Sequence, residues 1–221
     1  MKILILAAMD KELNLLVNIL QNPLEDHSFS SIIWKGSVNS HDVFLSRCGI
    51  GKVNSALNAY RLIQEIAPDL VINSGVAGGT GTPIGTILLA DRIAYNDVWC
   101  GPGTEYGQAD GFPLYFEPSK KILSLAGDPE IKKGLICSGD KFISTVEEID
   151  FIRSKFPDVK AVDMESASIA QTCMLCNLPF AIIRIVSDTP GEGENISQYK
   201  DFWATAPEKT FSVLSAILHK I

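Results

Sequence analysis

The run Phe180-Ala181-Ile182-Ile183-Arg184-Ile185-Val186-Ser187-Asp188 constrains this chain more than any other stretch. Its nearly unbroken apolar and β-branched residues predict a strand buried on both faces, as found inside a sheet covered by helices. The run stops on a polar Ser-Asp pair, followed by the turn residues Thr189-Pro190-Gly191-Glu192-Gly193-Glu194-Asn195. Ligands of α/β sheets sit beyond the carboxyl ends of the strands, so Asp188 is expected to face a crevice while its strand stays packed. The alternative is that Ser187 and Asp188 only cap a turn or the next helix.

Strands and helices alternate through the rest of the chain. Residues 3–8 predict a strand, and Asp10-Lys11-Glu12 opens a helix carrying Leu13, Leu16, Ile19 and Leu20. Short strands are expected at 31–34 and 43–47 with a hairpin turn over 36–42. A helix over 53–66 stops before Pro68, and a strand over 70–74 runs into a glycine-dense loop, 75–83, whose backbone can wrap a flat ligand. After a strand at 86–93, residues 96–118 form a long irregular segment rich in aromatics, a length usually reserved for function or an interface. Further strands are expected at 134–140 and 161–163, each followed by a helix, and one last helix spans 199–219 with Phe202, Trp203, Phe211, Leu214 and Leu218. No linker interrupts this α/β pattern, so residues 1–221 read as one domain.

Composition removes several classes of function. A net charge of -7 with no stripe of Lys or Arg argues against nucleic acid as a partner. No long apolar run or signal peptide is visible, so the expected location is cytoplasmic, away from the membrane. The cysteines Cys48, Cys100, Cys137, Cys173 and Cys176 are odd in number and mostly lie in apolar segments, which suits buried reduced thiols. Cys173 and Cys176 form a C-x-x-C without further ligands at metal spacing. His27, His41 and His219 lie in a polar loop, a turn and the last helical turn, so no metal site or Ser-His-Asp triad is expected. Gly49-Ile50-Gly51-Lys52 precedes a helix, but its spacing fits neither a Walker loop nor a dinucleotide fingerprint.

Acidic residues carry the remaining signal. Glu12, Glu165 and Asp188 each follow or end an apolar strand, and three such placements suggest one shared crevice. With no histidine at a strand end, proton transfer in such a crevice would fall to these carboxylates, which can also stabilise developing positive charge. Crowding them in a desolvated cleft raises the pKa of at least one, and Asp188 is the natural candidate.

Met9 to Glu12, Gly49-Ile50-Gly51-Lys52-Val53, Asn73 to Gly79, Tyr106-Gly107-Gln108, Ser138-Gly139-Asp140-Lys141-Phe142-Ile143, Val162-Asp163-Met164-Glu165 and Arg184 to Asp188 stand in the order of a known family. With these motifs the chain resembles the nucleoside phosphorylase/hydrolase superfamily, above all its methylthioadenosine/S-adenosylhomocysteine nucleosidase branch. The resemblance implies a single α/β domain with a mixed, partly barrel-like central sheet flanked by helices. It also implies a homodimer and hydrolysis of the adenine–ribose bond of 5′-substituted adenosines without a cofactor.

Carried onto this sequence, the resemblance makes Asp188 the general acid at adenine N7, oriented by Ser187, and Glu12 the activator of water, with Arg184 in the catalytic group. Met164 and Glu165 would hold the ribose, Phe142 would stack on adenine and Ile143 would offer it backbone bonds. Val76, Ala77 and Gly78 would line the substrate site. Met9, Ile50 and Phe202 would line the pocket for the 5′ substituent, with Pro113 of the partner subunit. Val76 stands where nucleosidases of this type usually carry a serine, residues 99–104 depart from the family pattern, and residues 189–195 read as a lid over Asp188. Two other functions remain open. Phosphorolysis would need arginines that phosphorylases of the superfamily carry near the first strand-helix turn and before the glycine-rich segment. A non-catalytic nucleoside-binding protein would use the same fold.

Overall fold

The computed structural model describes residues 1–125, 131–192, 195–205 and 207–220. In order, the elements are β1 (Lys2–Ala7), α1 (Asp10–Val17), β2 (Gln21–Asp26), β3 (Ile33–Val38), β4 (His41–Arg47), α2 (Lys52–Ile66), β5 (Leu70–Gly79) and β6 (Ile87–Tyr95). Then follow α3 (Lys120–Leu125), β7 (Ile131–Ser138), α4 (Val146–Lys155), β8 (Val159–Asp163), α5 (Ser166–Leu175), β9 (Phe180–Asp188), α6 (Asn195–Thr205) and α7 (Pro207–Lys220). No described helix is long and apolar enough to cross a membrane.

The strand period sorts the core into two layers. Ile3, Ile5 and Ala7 of β1 share one face with Ile72, Ala181, Ile183 and Ile185, under Leu13 and Leu16 of α1 and Leu214 and Ile217 of α7. Leu4 and Leu6 share the other face with Val71, Ile182 and Val186, under Leu62 and Ile63 of α2 and Ile169 and Cys173 of α5. Covering both faces keeps every residue of β9 buried. Each large aliphatic side chain removed from water in this way contributes about 1.5–3 kcal/mol.

The sheet is mixed and half closed. Its strands run in the order β2-β3-β4-β1-β5-β8-β7-β6-β9, and β9 also pairs with β5. The ring β5-β8-β7-β6-β9 therefore shuts like a small barrel, while β2, β3, β4 and β1 form an open wing. The parallel pairs β1–β4, β1–β5 and β5–β9 bring the carboxyl ends of these strands to one edge.

Several expected boundaries shift. The hairpin turn narrows from 36–42 to Asn39 and Ser40, because Gly36, Ser37 and Val38 pair with β4, and His41 opens β4 instead of lying in the turn. Asn39 takes the left-handed φ of +54° that so tight a turn requires. β2, polar and mostly exposed, gave no apolar alternation by which to detect it. The glycine-dense segment is not a loop up to Gly79: β5 continues through it, paired with β9 along one side. The single last helix is two, α6 and α7, and Pro207 starts the second, as suits a residue lacking an N–H. The side chain of Phe211 lies outside the described residues.

Among the cysteines, all five are free; Cys48, Cys137 and Cys173 are buried, whereas Cys100 is exposed and Cys176 only half-buried. Thus the C-x-x-C contributes Cys173 to the core behind α5.

Candidate active site

Glu12, Glu165 and Asp188 line one cavity at the carboxyl edge of the sheet. Ala8, Met9, Ile50, Val76, Ala77, Gly78, Phe142, Met164 and Ser187 line it too. Ile143 lines a small adjoining recess that shares Gly78, Phe142 and Asp188 with it.

Glu12 reaches the cavity because β1 and β5 part company. Their ladder ends at Leu6↔Asn73 while β5 runs on, which leaves the Val76 N–H without a strand partner on that side. Glu12 Oε1 accepts it at 3.2 Å, and Oε2 accepts the Ala8 and Met9 N–H groups at 2.9 and 3.0 Å. Met9 is the N-cap of α1, so its N–H is one of those the helix start leaves free. An ionised carboxylate offers roughly four acceptor positions, so about one remains for a group inside the cavity. Burial raises the Glu12 pKa, and Arg184 with the three backbone donors opposes the rise.

Glu165 stands at the start of α5, where its Oε1 accepts the Gly51 N–H at 3.0 Å. Gly51 has φ +87° and precedes α2, so the carboxylate also meets the positive end of that helix. The next N–H, of Lys52, donates to Asp140 at 2.6 Å. The Gly-x-Gly-Lys segment therefore uses its backbone donors on the protein's own carboxylates. Burial first and the neighbouring Asp163 second push Glu165 up to about 7, against the pull of Arg184.

A bulge aims Asp188. Ala77 pairs with Val186 and Gly78 with Asp188, so Ser187 is the extra residue. Ser187 Oγ donates to Asp188 Oδ1 at 2.7 Å, and Asn195 Nδ2 donates to Oδ2 at 3.3 Å. Burial raises the Asp188 pKa against these two donors.

Arg184 does not line the cavity. It is 2% exposed, with Nε 2.8 Å from Asp163 Oδ2 and Nη2 2.6 Å from the same oxygen. Nη1 donates to the carbonyl of Asn73 at 3.2 Å, and Nη2 also bonds Asn73 Oδ1. The arginine is a buried counter-charge behind the acidic wall, and Asp163 is a fourth carboxylate in the lining.

One other expectation changes place. Phe202 is 4% exposed and packs in the core with Leu214, because the apolar side of α6 faces inward. One turn earlier, Tyr199 lines the cavity, its hydroxyl donating to Met9 Sδ at 3.4 Å and its ring 6.0 Å from Phe142. Within this chain Pro113 lies in a separate groove with Tyr115, Met174 and Pro179. Of the segment read as a lid, Gly193 and Glu194 lie outside the described residues; Pro190 packs so closely on Gly78 that a Cβ there would sit 2.6 Å from it.

Asp163, Tyr199 and Asn195 escaped the sequence reading. Asp163 had a usable signal, since it ends a strand two residues before Glu165. Tyr199 and Asn195 had none, because their positions depend on how α6 docks. No lysine or arginine is among the described residues lining the cavity. Arg47 lies in a neighbouring groove, 3.4 Å from Asp10, and Lys11 stacks over the rings of Tyr199 and Trp203.

Residues 2–219 match the family model described as the phosphorylase superfamily, and the chain belongs to that superfamily. Within it, the chain is similar to proteins of one branch. It is 36% identical over 230 residues to the 5′-methylthioadenosine/S-adenosylhomocysteine nucleosidase of Haemophilus influenzae (strain PittEE), covering 100% of both chains. It is 38% identical, with a TM-score of 0.92, to the nucleosidase of that name from S. pneumoniae solved with the transition-state inhibitor MT-ImmA, covering 99% of this chain and 98% of that one. The Streptococcus pneumoniae MTA/SAH nucleosidase in complex with 8-aminoadenine gives a TM-score of 0.94 at 38% identity, with 100% of each chain covered.

Proposed function

We propose that this protein is a nucleosidase that hydrolyses the N-glycosidic bond of 5′-substituted adenosines such as methylthioadenosine and S-adenosylhomocysteine, releasing adenine. The observation that carries the reading is the composition of the cavity wall: four carboxylates and, among the described residues, no cation. Such a wall favours a sugar that becomes positive and disfavours a phosphate nucleophile. The nucleosidases it resembles support the same substrate class.

In this reading Asp188 is the proton donor: burial raises its pKa, which favours the protonated form, and the proton passes to N7 of the purine. Ser187 orients the carboxyl. As the base leaves, positive charge grows on the sugar, and Glu12 and Glu165 stabilise it. Glu12 uses its remaining acceptor position to take a proton from the attacking water. Val76 contributes its backbone N–H, which fixes Glu12, so the absence of a serine hydroxyl at this position leaves the carboxylate anchored. Glu165 and Met164 hold the ribose, Phe142 and Ile143 the adenine, and Met9, Ile50 and Tyr199 border the 5′ substituent. A homodimer in which Pro113 of the partner subunit closes the 5′ pocket completes the proposal.

Incubation of purified protein with methylthioadenosine in phosphate-free buffer tests it: free adenine should appear. Strict dependence on phosphate would identify a phosphorylase, and tight binding without turnover a nucleoside-binding protein.

A further inference from the structure

Asp188 is held by two donors of different origin. Ser187 belongs to the same strand, whereas Asn195 arrives from α6. Asn195 is 4% exposed, and its Nδ2 donates both to Asp188 Oδ2 at 3.3 Å and to the Ile143 carbonyl at 3.2 Å. A backbone carbonyl only accepts, so the amide must turn its NH2 toward Ile143, and its second hydrogen then falls to Asp188. A buried amide has few other places to send that hydrogen, and leaving it unbonded would be costly.

Contacts around α6 keep Asn195 in place. Lys11 Nζ lies 4.5 Å from the centroid of the Tyr199 ring and 4.2 Å from that of Trp203, which ties α6 to α1. Tyr199 also meets Phe142 and Met9. The amide thus bridges the strand end that presents Asp188, the turn that presents Ile143, and the helix that covers both.

We infer that Asn195 is a positioning residue, which sets the plane of the Asp188 carboxyl and locks it to the Ile143 backbone so that proton donor and base-binding edge form one rigid frame. With Oδ1 held by Ser187 and Oδ2 by Asn195, the carboxyl that lines the cavity is fixed at both oxygens. This inference rests on the proposal that Asp188 is the proton donor. Asp and Ser fail at position 195 for different reasons: a carboxylate would confront both the Ile143 carbonyl and Asp188, and a hydroxyl has one hydrogen where two are used.

The groups around Asp188 enter the test. Glu12 from α1, Asp163 from β8 and Glu165 from the start of α5 line the same cavity; Lys141 lines the recess beside it, and Arg184 lies behind, paired with Asp163. None of them is altered by Asn195→Ala or Asn195→Asp. The experiment compares wild type with both variants by kcat and KM for adenine release across pH, and by carboxyl 13C NMR titration of Asp188 in the ligand-free proteins.

The expected result is a kcat lowered about tenfold or more with KM within about twofold, and an Asp188 midpoint moved upward, further in Asn195→Asp. The sign follows from the donor: a hydrogen bond to the carboxylate favours the ionised form, so removing it raises the pKa, and an added like charge raises it again. Asn195→Asp keeps the volume of the amide and serves if Asn195→Ala fails to fold. Unchanged kcat and an unchanged midpoint in Asn195→Asp would overturn the inference. If the wild type releases no adenine while the midpoint still moves, the proposed function falls and the positioning contact stands.

Discussion

A methyl group on Gly75 would lie 2.8 Å from Glu12 Oε1, so a residue of β5 and a residue of α1 share a space with no room for a Cβ. The glycine sits just beyond the point where β1 stops pairing with β5, and Glu12 fills the opening. The absence of a side chain at residue 75 is therefore a condition for the carboxylate to reach the cavity.

Gly75→Ala should accordingly damage activity while sparing the fold. Gly75 does not have a positive φ, so the backbone accepts alanine and the collision falls on Glu12 alone. A displacement of this size is expected to lower kcat about 100-fold, with overpacking costing roughly 1–3 kcal/mol of stability. Adenine release and thermal unfolding measured on one preparation check both halves; wild-type turnover would mean that Glu12 has another route to the same place.

Asp188→Asn and Glu12→Gln remove the two proposed proton-transfer groups without altering shape. Each should lower kcat by about 10² to 10⁴-fold, roughly 3–5 kcal/mol of transition-state stabilisation. Adenine binding, followed by calorimetry, should survive in Glu12→Gln. Normal kcat in Asp188→Asn would remove the general acid from the mechanism.

Glu165 makes stability depend on pH in a direction opposite to that of an ordinary paired carboxylate. Its folded pKa is raised from 4.5 to about 7, so between those values the folded state holds a proton that the unfolded chain has released. Stability from this group is present below about pH 4.5, declines as pH rises toward 7 and is flat above; the whole effect is on the order of 3 kcal/mol. Urea unfolding of wild type against Glu165→Gln should show the variant gaining on the wild type between pH 5 and 7.5, as expected for about this pKa range. A constant difference across that range would refute the assignment.

Arg184 neutralises Asp163 where both are 2% exposed on their side chains. Arg184→Met strands that carboxylate and should cost about 3–5 kcal/mol, whereas Arg184→Met combined with Asp163→Asn should recover part of the loss. Chemical denaturation of the single and double variants decides it; full additivity would mean that the two residues are not coupled.

Much of this architecture was readable beforehand because it follows from local periodicity. The apolar run ending at Asp188 and the apolar run of β1 both translate pattern into structure. The glycine-rich segment misled for a physical reason: without side chains it shows no alternation, yet β5 holds it extended by pairing with β9. Phe202 misled in another way. Helical spacing puts Phe202 and Tyr199 on adjacent flanks of α6, and which flank meets the core is set by the docking angle against α1 and β9.

Most of the order of elements, the acidic character of the strand ends and the resemblance to a superfamily were contained in the linear chain, since propensity and motif order are properties of neighbours in sequence. A shared crevice for Glu12, Glu165 and Asp188 was expected from it, but their actual meeting, with Asp163 beside them, is decided by the fold. Glu12, Asp163, Glu165 and Asp188 meet in one cavity because parallel pairing brings distant strand ends together and a bulge at Ser187 turns the last of them inward. Buried Arg184 and the donors that hold each carboxylate then set which of them carries a proton, an outcome of desolvation and distance that exists only once the chain has folded.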